Sequence, residues 1–185
     1  MLSRCSNGVT LIELMIGMTI VSCLLLVGMP SFTIWIQDLQ IRGAAESIQS
    51  GLLLARSEAI RRNRPVQLAL ADAGGLVEWR IGCVPADAGC PDLIAERKRG
   101  EGGLNTRMAA AAAAVSPAAV SNPEAALAAG AGLPVSIVFN ALGQSARPAP
   151  DRVEVSHVAL GSERRLVVRI DGVLVRICRP RQDCA

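Results

Sequence analysis

The stretch GVTLIELMIGMTIVSCLLLVGM, Gly8–Met29, decides the architecture. From Val9 onward it is apolar, and Glu13 is its only charged residue. Wound as a helix it spans roughly 30 Å, the thickness of a bilayer core. No second run of this kind follows, so the chain crosses a membrane once at most. A secretory signal peptide would have a shorter apolar region followed by a small-x-small cleavage site, and Met29-Pro30-Ser31-Phe32 offers none. A plain signal anchor explains the length but not the carboxylate. A charge at mid-membrane costs about 2.5–3.5 kcal/mol on insertion scales, so Glu13 needs a partner or a purpose.

Upstream, residues 1–8 are short and polar and carry Arg4, which suits a cytoplasmic end. Downstream, Gly28 and Pro30 are expected to interrupt or kink the helix. The pattern then turns amphipathic: Ile41, Ala45, Ile48, Leu52, Ala55 and Ala59 recur at steps of three and four. Pro65 restricts Arg64 and predicts a helix end near Asn63. Strands are expected at Pro65–Ala71, Leu76–Cys83, Leu93–Arg99, Val135–Asn140, Arg152–Leu160, Arg164–Ile170 and Val173–Cys178. Asp171-Gly172 is read as the two-residue turn joining the last two. One long helix followed only by strands predicts an α+β fold, with the helix packed on one face of antiparallel sheet.

The chain's 185 residues hold one domain and an appendage. With two Phe, two Trp and no Tyr, the core must be built from Leu, Ile, Val and Ala. A net charge of +3, carried by arginine except for Lys98, is too small to imply nucleic acid by itself. No nucleophile–base arrangement, nucleotide motif or phosphate loop is present, so an enzyme is not expected and no cofactor is implied. Cys5 lies in the first eight residues and Cys23 in the apolar run. Cys83, Cys90, Cys178 and Cys184 allow three pairings, of which Cys83–Cys90 and Cys178–Cys184 each close a short loop containing Pro. A zinc site is the alternative, but neither pair has Cys-x-x-Cys spacing and His157, the only histidine, sits in a strand pattern as a structural or surface residue. Residues 104–134, with the alanine run Ala109–Ala114, read as an inserted surface loop, or as a partner-binding arm.

Gly8-Val9-Thr10-Leu11-Ile12-Glu13-Leu14 resembles the type IV prepilin processing site. That resemblance implies cleavage after Gly8 by a prepilin peptidase, N-methylation of Val9 (where the family usually has Phe), and a Glu13 that neutralises the new α-amine of a neighbouring subunit. Leu54–Leu68 (LARSEAIRRNRPVQL), Ser136–Ser145 (SIVFNALGQS) and the terminal Val175–Cys178 resemble, in order, the GspH/FimT family of type IV pilin-like proteins. The chain then divides into a leader 1–8, a transmembrane helix 9–29, an amphipathic periplasmic helix 30–63 and a β-rich periplasmic domain 64–185. The implied partners are other pilin or pseudopilin subunits and an inner-membrane assembly platform. The implied place is the inner membrane of a Gram-negative bacterium, single-pass, with the C-terminal domain in the periplasm.

Two functions follow. One is structural, a subunit of a type II secretion pseudopilus or a type IV pilus. The other is a minor pilin that binds DNA during uptake. Arg176, Arg179 and Arg181 are the DNA-binding candidates, because guanidinium forks suit phosphate oxygens and a Cys178–Cys184 loop would present two of them. Gly172–Arg176 departs from the Gly-Arg-x-Arg element of FimT-like proteins by lacking its first arginine, and no aromatic residue lies nearby for base stacking. The alternative is a solvated arginine edge that deters strand pairing.

Overall fold

The structure, a computed structural model, describes residues 8–71, 74–99, 101, 104–111, 126–146 and 149–180, without the side chains of 27–31 and 161–163. Its contacts divide the chain into Met1–Ile36 and Gln37–Ala185. The first unit carries the N-terminal part of α1, which runs as one helix from Leu11 to Arg62 across Gly28 and Pro30. Its large apolar side chains from Leu11 to Leu26 are all more than half exposed. That described stretch is shorter than the ~20 residues of a span. Among the described residues no helix is long and apolar enough to cross a membrane.

In the second unit, α1 buries the stripe expected from the sequence. Ile41, Ala45, Ile48, Leu52, Ala55 and Ala59 are all 3% exposed or less, and Ala44 joins them. Alanine at four of these positions lets the helix lie close to the sheets, while Ile48 and Leu52 each contribute about 1.5–3 kcal/mol by full burial. Gly51 serves the same approach: a Cβ there would stand 2.9 Å from Leu68 Cδ1 and 3.2 Å from the Trp79 ring. The helix ends as Pro65 requires. Asn63 has a positive φ of 51°, the Asn63 amide donates to the Ile60 carbonyl (3.2 Å), and the Arg64 amide donates to the Ala59 carbonyl (3.1 Å). These bonds form a Schellman cap with asparagine in the left-handed position.

Two four-stranded antiparallel sheets follow. The first has the order β3-β2-β1-β5, with β1 Val66–Leu70, β2 Trp79–Cys83, β3 Ala95–Arg97 and β5 Val135–Phe139. The second has the order β4-β6-β7-β8, with β4 Thr106–Ala110, β6 Arg152–His157, β7 Gly161–Asp171 and β8 Leu174–Cys178. Val66, Leu68, Leu70, Ile81, Ile137 and Phe139 from one sheet, and Met108, Val153, Val155, Val168 and Ile170 from the other, share one core cluster with the helix stripe.

Besides the expected interruption at Gly28 and Pro30, which the continuous helix does not show, two expectations change. The segment 104–134, read as loop throughout, begins with β4, which pairs along its length with β6. Thr106, Met108, Ala109 and Ala110 are buried. The other edge of β4 is covered too: the Met108 carbonyl accepts from the Gly130 amide (2.9 Å), and the Ala110 amide donates to the Ala131 carbonyl (2.8 Å). Alanines that look like low complexity in sequence are small enough to sit between these neighbours. Residues 112–125 of that segment lie outside the described residues. The last hairpin also shifts by one position. Asp171 pairs with Leu174, so Gly172-Val173 forms the turn. Gly172 has φ 59° and Val173 is not in the positive region, as a type II′ turn requires.

Candidate functional site

At the start of α1, Thr10 and Glu13 cap the helix reciprocally. The Thr10 amide and hydroxyl both donate to Glu13 Oε2, and the Glu13 amide donates to Thr10 Oγ1, each at 3.4 Å. This is a capping box, which satisfies backbone donors that the first turn leaves without partners. The Thr-x-x-Glu spacing ahead of an apolar run carries that signal in the sequence. Gly8 and Val9 precede it, both exposed. Among the described residues no atom stands within 4 Å of where a Cβ on Gly8 would lie, so their packing gives no reason for glycine there.

The sequence-derived disulfide Cys83–Cys90 is present, with Cα atoms 5.6 Å apart. It ties the end of β2 to a loop that docks on the C-terminus of α1. Arg62 Nη1 donates to the Gly89 carbonyl (3.1 Å), and Arg64 pairs with Asp87. Glu58 accepts from Arg61 Nη2 and from Arg62 Nε, both at 2.7 Å. The Arg61 hydrogen bond foremost, then that of Arg62, holds its carboxyl below the ordinary range. Cys178 also takes part in a disulfide. Cys184 and Arg181 lie outside the described residues. Among the described residues no group of His, Cys, Asp and Glu could hold a metal ion. His157 is buried and structural: the Ala159 amide donates to Nδ1 (3.1 Å), so the neutral ring carries its proton on Nε2, 3.1 Å from Gln40 Oε1.

Arg176 stands on β8 directly opposite Arg169 of β7, and Arg169 stands opposite Arg152 of β6. Cross-strand partners share a face, so three arginines form a row across the sheet, on the side opposite Val153, Val168 and Ile177. Arg152 is partly sheltered and lies 3.6 Å from Glu154 Oε1. Arg169 and Arg176 are exposed, and Arg179 follows beyond the strand, also exposed. Sequence reading grouped Arg176 with its chain neighbours. The register that joins it to Arg169 and Arg152 is invisible until three strands are paired.

Glu154 went unremarked in the sequence, yet it is 3% exposed. Its Oε2 lies 3.3 Å from Arg165 Nε and accepts from the Leu127 amide at 3.0 Å. The carboxylate thus ties the chain returning from 112–125 to the sheet.

A family model described as Prokaryotic N-terminal methylation motif matches residues 3–29. Among solved structures, the type IV minor pilin FimU of Pseudomonas aeruginosa (strain PAO1) superposes with a TM-score of 0.51 at 17% identity, covering 82% of this chain and 99% of that one. The minor pseudopilin EpsH from the Type 2 Secretion System of Vibrio cholerae gives 0.47 at 14% identity, covering 78% and 99%. No curated relative matches the chain. The FimU likeness shows a shared type IV pilin-like fold. A second family model, Type II transport protein GspH, runs over residues 44–173, from within α1 to the turn after β7, and the chain belongs to that family.

Proposed function

We propose that this protein is a structural subunit of a pilin-like filament, cleaved after Gly8, methylated on Val9, anchored in the inner membrane through Val9–Met29 and assembled through Glu13. The observation that carries the reading is the capped, uncovered start of α1: a carboxylate held at the helix N-terminus, followed by apolar side chains that the single chain leaves exposed. Lipid covers such a surface before assembly and neighbouring helices cover it afterwards. In the filament, the α-amine that cleavage creates on one subunit meets Glu13 of another. A slip in register would leave both charges unpaired in a medium of low dielectric. Because the contact is head-to-tail and does not close, it propagates as a helical filament.

Mass spectrometry of the mature protein then shows Val9 as an N-methylated terminus, and an intact leader in a host with the peptidase refutes the reading. Three substitutions separate capping from charge pairing. Glu13→Gln keeps the capping geometry and removes the charge, since glutamine also serves in a capping box. Thr10→Ala keeps the charge and loses about 1 kcal/mol of cap. Co-purification with other pilin subunits is expected to fail for Glu13→Gln and Glu13→Ala and to persist for Thr10→Ala. Incorporation of Glu13→Gln at the wild-type level rules out the charge pair.

The arginine row favours a second reading, contact with the phosphate backbone of DNA. Arg169 and Arg176 are exposed on one face, and guanidinium forks suit phosphate oxygens. Contacts of that kind give affinity for a nucleic-acid backbone without choice of sequence.

A further inference from the structure

We infer that Phe32 and Trp35 form an interfacial anchor that seats α1 at the outer headgroup layer of the membrane. The inference rests on the membrane-anchored reading above. The two rings lie one helical turn apart, with centroids 5.7 Å from each other. They are 59% and 57% exposed, and Ile36 on the same side is 37% exposed. The chain's other tryptophan is different in kind: Trp79 is partly buried against the core cluster and donates its indole N–H to Ser47 Oγ at 3.0 Å. Trp35 has no hydrogen-bond partner among the described residues, so its N–H is open to a lipid carbonyl or phosphate.

The position along the helix selects lipid as the occupant. With Val9 at the inner edge of the hydrocarbon, a rise of 1.5 Å per residue places Phe32 and Trp35 about 35 and 39 Å along the axis. A tilt of about 20°, usual for spanning helices, brings these heights to about 32 and 37 Å. The hydrocarbon core is about 30 Å thick, so both rings fall in the headgroup layer beyond it. Aromatic rings with a polar edge concentrate there, because the ring body is apolar and the N–H is not. The apolar surface from Leu11 to Leu26 lies on the same helix and the polar Gln37 and Asp38 follow, so the pair marks the boundary between the two.

The test uses the full chain in phosphatidylethanolamine–phosphatidylglycerol vesicles, with lipids brominated either near the headgroup or near the acyl terminus. Trp79→Phe leaves Trp35 as the only fluorophore. The difference between wild type and Trp35→Phe gives the same signal should Trp79→Phe not fold. The expected result is carbonate-resistant retention in the vesicles, blue-shifted Trp35 emission, and stronger quenching by the shallow bromines than by the deep ones. Retention with water-like emission overturns the anchor, as does stronger quenching by the deep bromines. Retention with blue-shifted emission and no quenching also overturns it, and places a neighbouring helix over the rings. Loss of the chain on carbonate washing defeats the membrane-anchored reading itself, and the anchor with it.

Discussion

Glycine shows how differently one residue type can be used. Gly82 in β2 faces the Asp92 carbonyl so closely that an added Cβ would stand 1.7 Å from its oxygen, far inside van der Waals contact. Gly43, in α1, has nothing among the described residues within 4 Å of that position, its own helix backbone aside. Gly82→Ala is therefore expected to lower the denaturation midpoint sharply, because backbone rather than a flexible side chain has to move. Gly43→Ala is expected to raise stability by about 0.5–1 kcal/mol, since alanine in a helix interior loses less backbone freedom on folding. Urea melts of both variants check the pair, and a stable Gly82→Ala would show that the β2–Asp92 contact is loose. Neither role can be read from a one-letter code. Thr10 and Glu13 are the opposite case: their Thr-x-x-Glu spacing carries the capping-box signal, although reading the sequence assigned Glu13 to charge pairing alone.

At the scale of elements, the C-terminus of α1 and the disulfide-closed loop after β2 hold each other through charge. Glu58 has a carboxyl pKa held below its ordinary 4.5 by the hydrogen bond from Arg61, then that from Arg62. Asp87 is lowered too, first by the Gly89 amide. A carboxylate with a depressed folded-state pKa contributes stability that is complete above its unfolded value and is lost as pH falls through the folded one. The wild-type melting temperature is thus expected to fall as pH drops below about 4.5. Glu58→Gln should be less stable at neutral pH and lose less on acidification. Parallel acid-limb slopes for the two proteins would show that Glu58 is not the titrating group. The elements that the sequence disclosed are those with local signals: the α1 stripe and its end at Asn63, the alternation of β1, the turn glycine at 172. β4 was hidden because its stabilisation is not local. Its buried alanines gain a partner only from β6 on one side and from 130–131 on the other. The one-residue shift of the last turn has a similar origin, since Asp171 is held in the ladder by Leu174 rather than by its own propensity.

At the scale of the molecule, the GspH-family chain is a structural subunit and not an enzyme, so its open question is what the exposed part of the domain touches. The sequence located the family and the N-terminal methylation motif because those depend on contiguous residues. It did not locate the arginine row, because Arg152, Arg169 and Arg176 come from three strands and meet only through sheet register. Their effect is separable from folding. Arg152 lies beside buried Glu154 and is left unchanged, whereas Arg169 and Arg176 are exposed and point away from Val168 and Ile177 in the core. Asp171 and Glu154 share that face, so the row is basic without being uniformly so. Replacing Arg169 and Arg176 by Gln is expected to leave the circular-dichroism spectrum and melt nearly unchanged. If the row contacts phosphates, gel-shift affinity for duplexes of unrelated sequence should fall by a similar factor for each, because backbone contacts do not distinguish bases. The slope of log affinity against log salt should become shallower by about one unit for each contact removed. A drop confined to one duplex sequence would contradict backbone recognition. Absence of wild-type binding at low salt, or equal binding by the double variant, removes DNA as the ligand. The row then becomes a charged edge for docking within the filament, where its loss would appear in co-purification with other subunits.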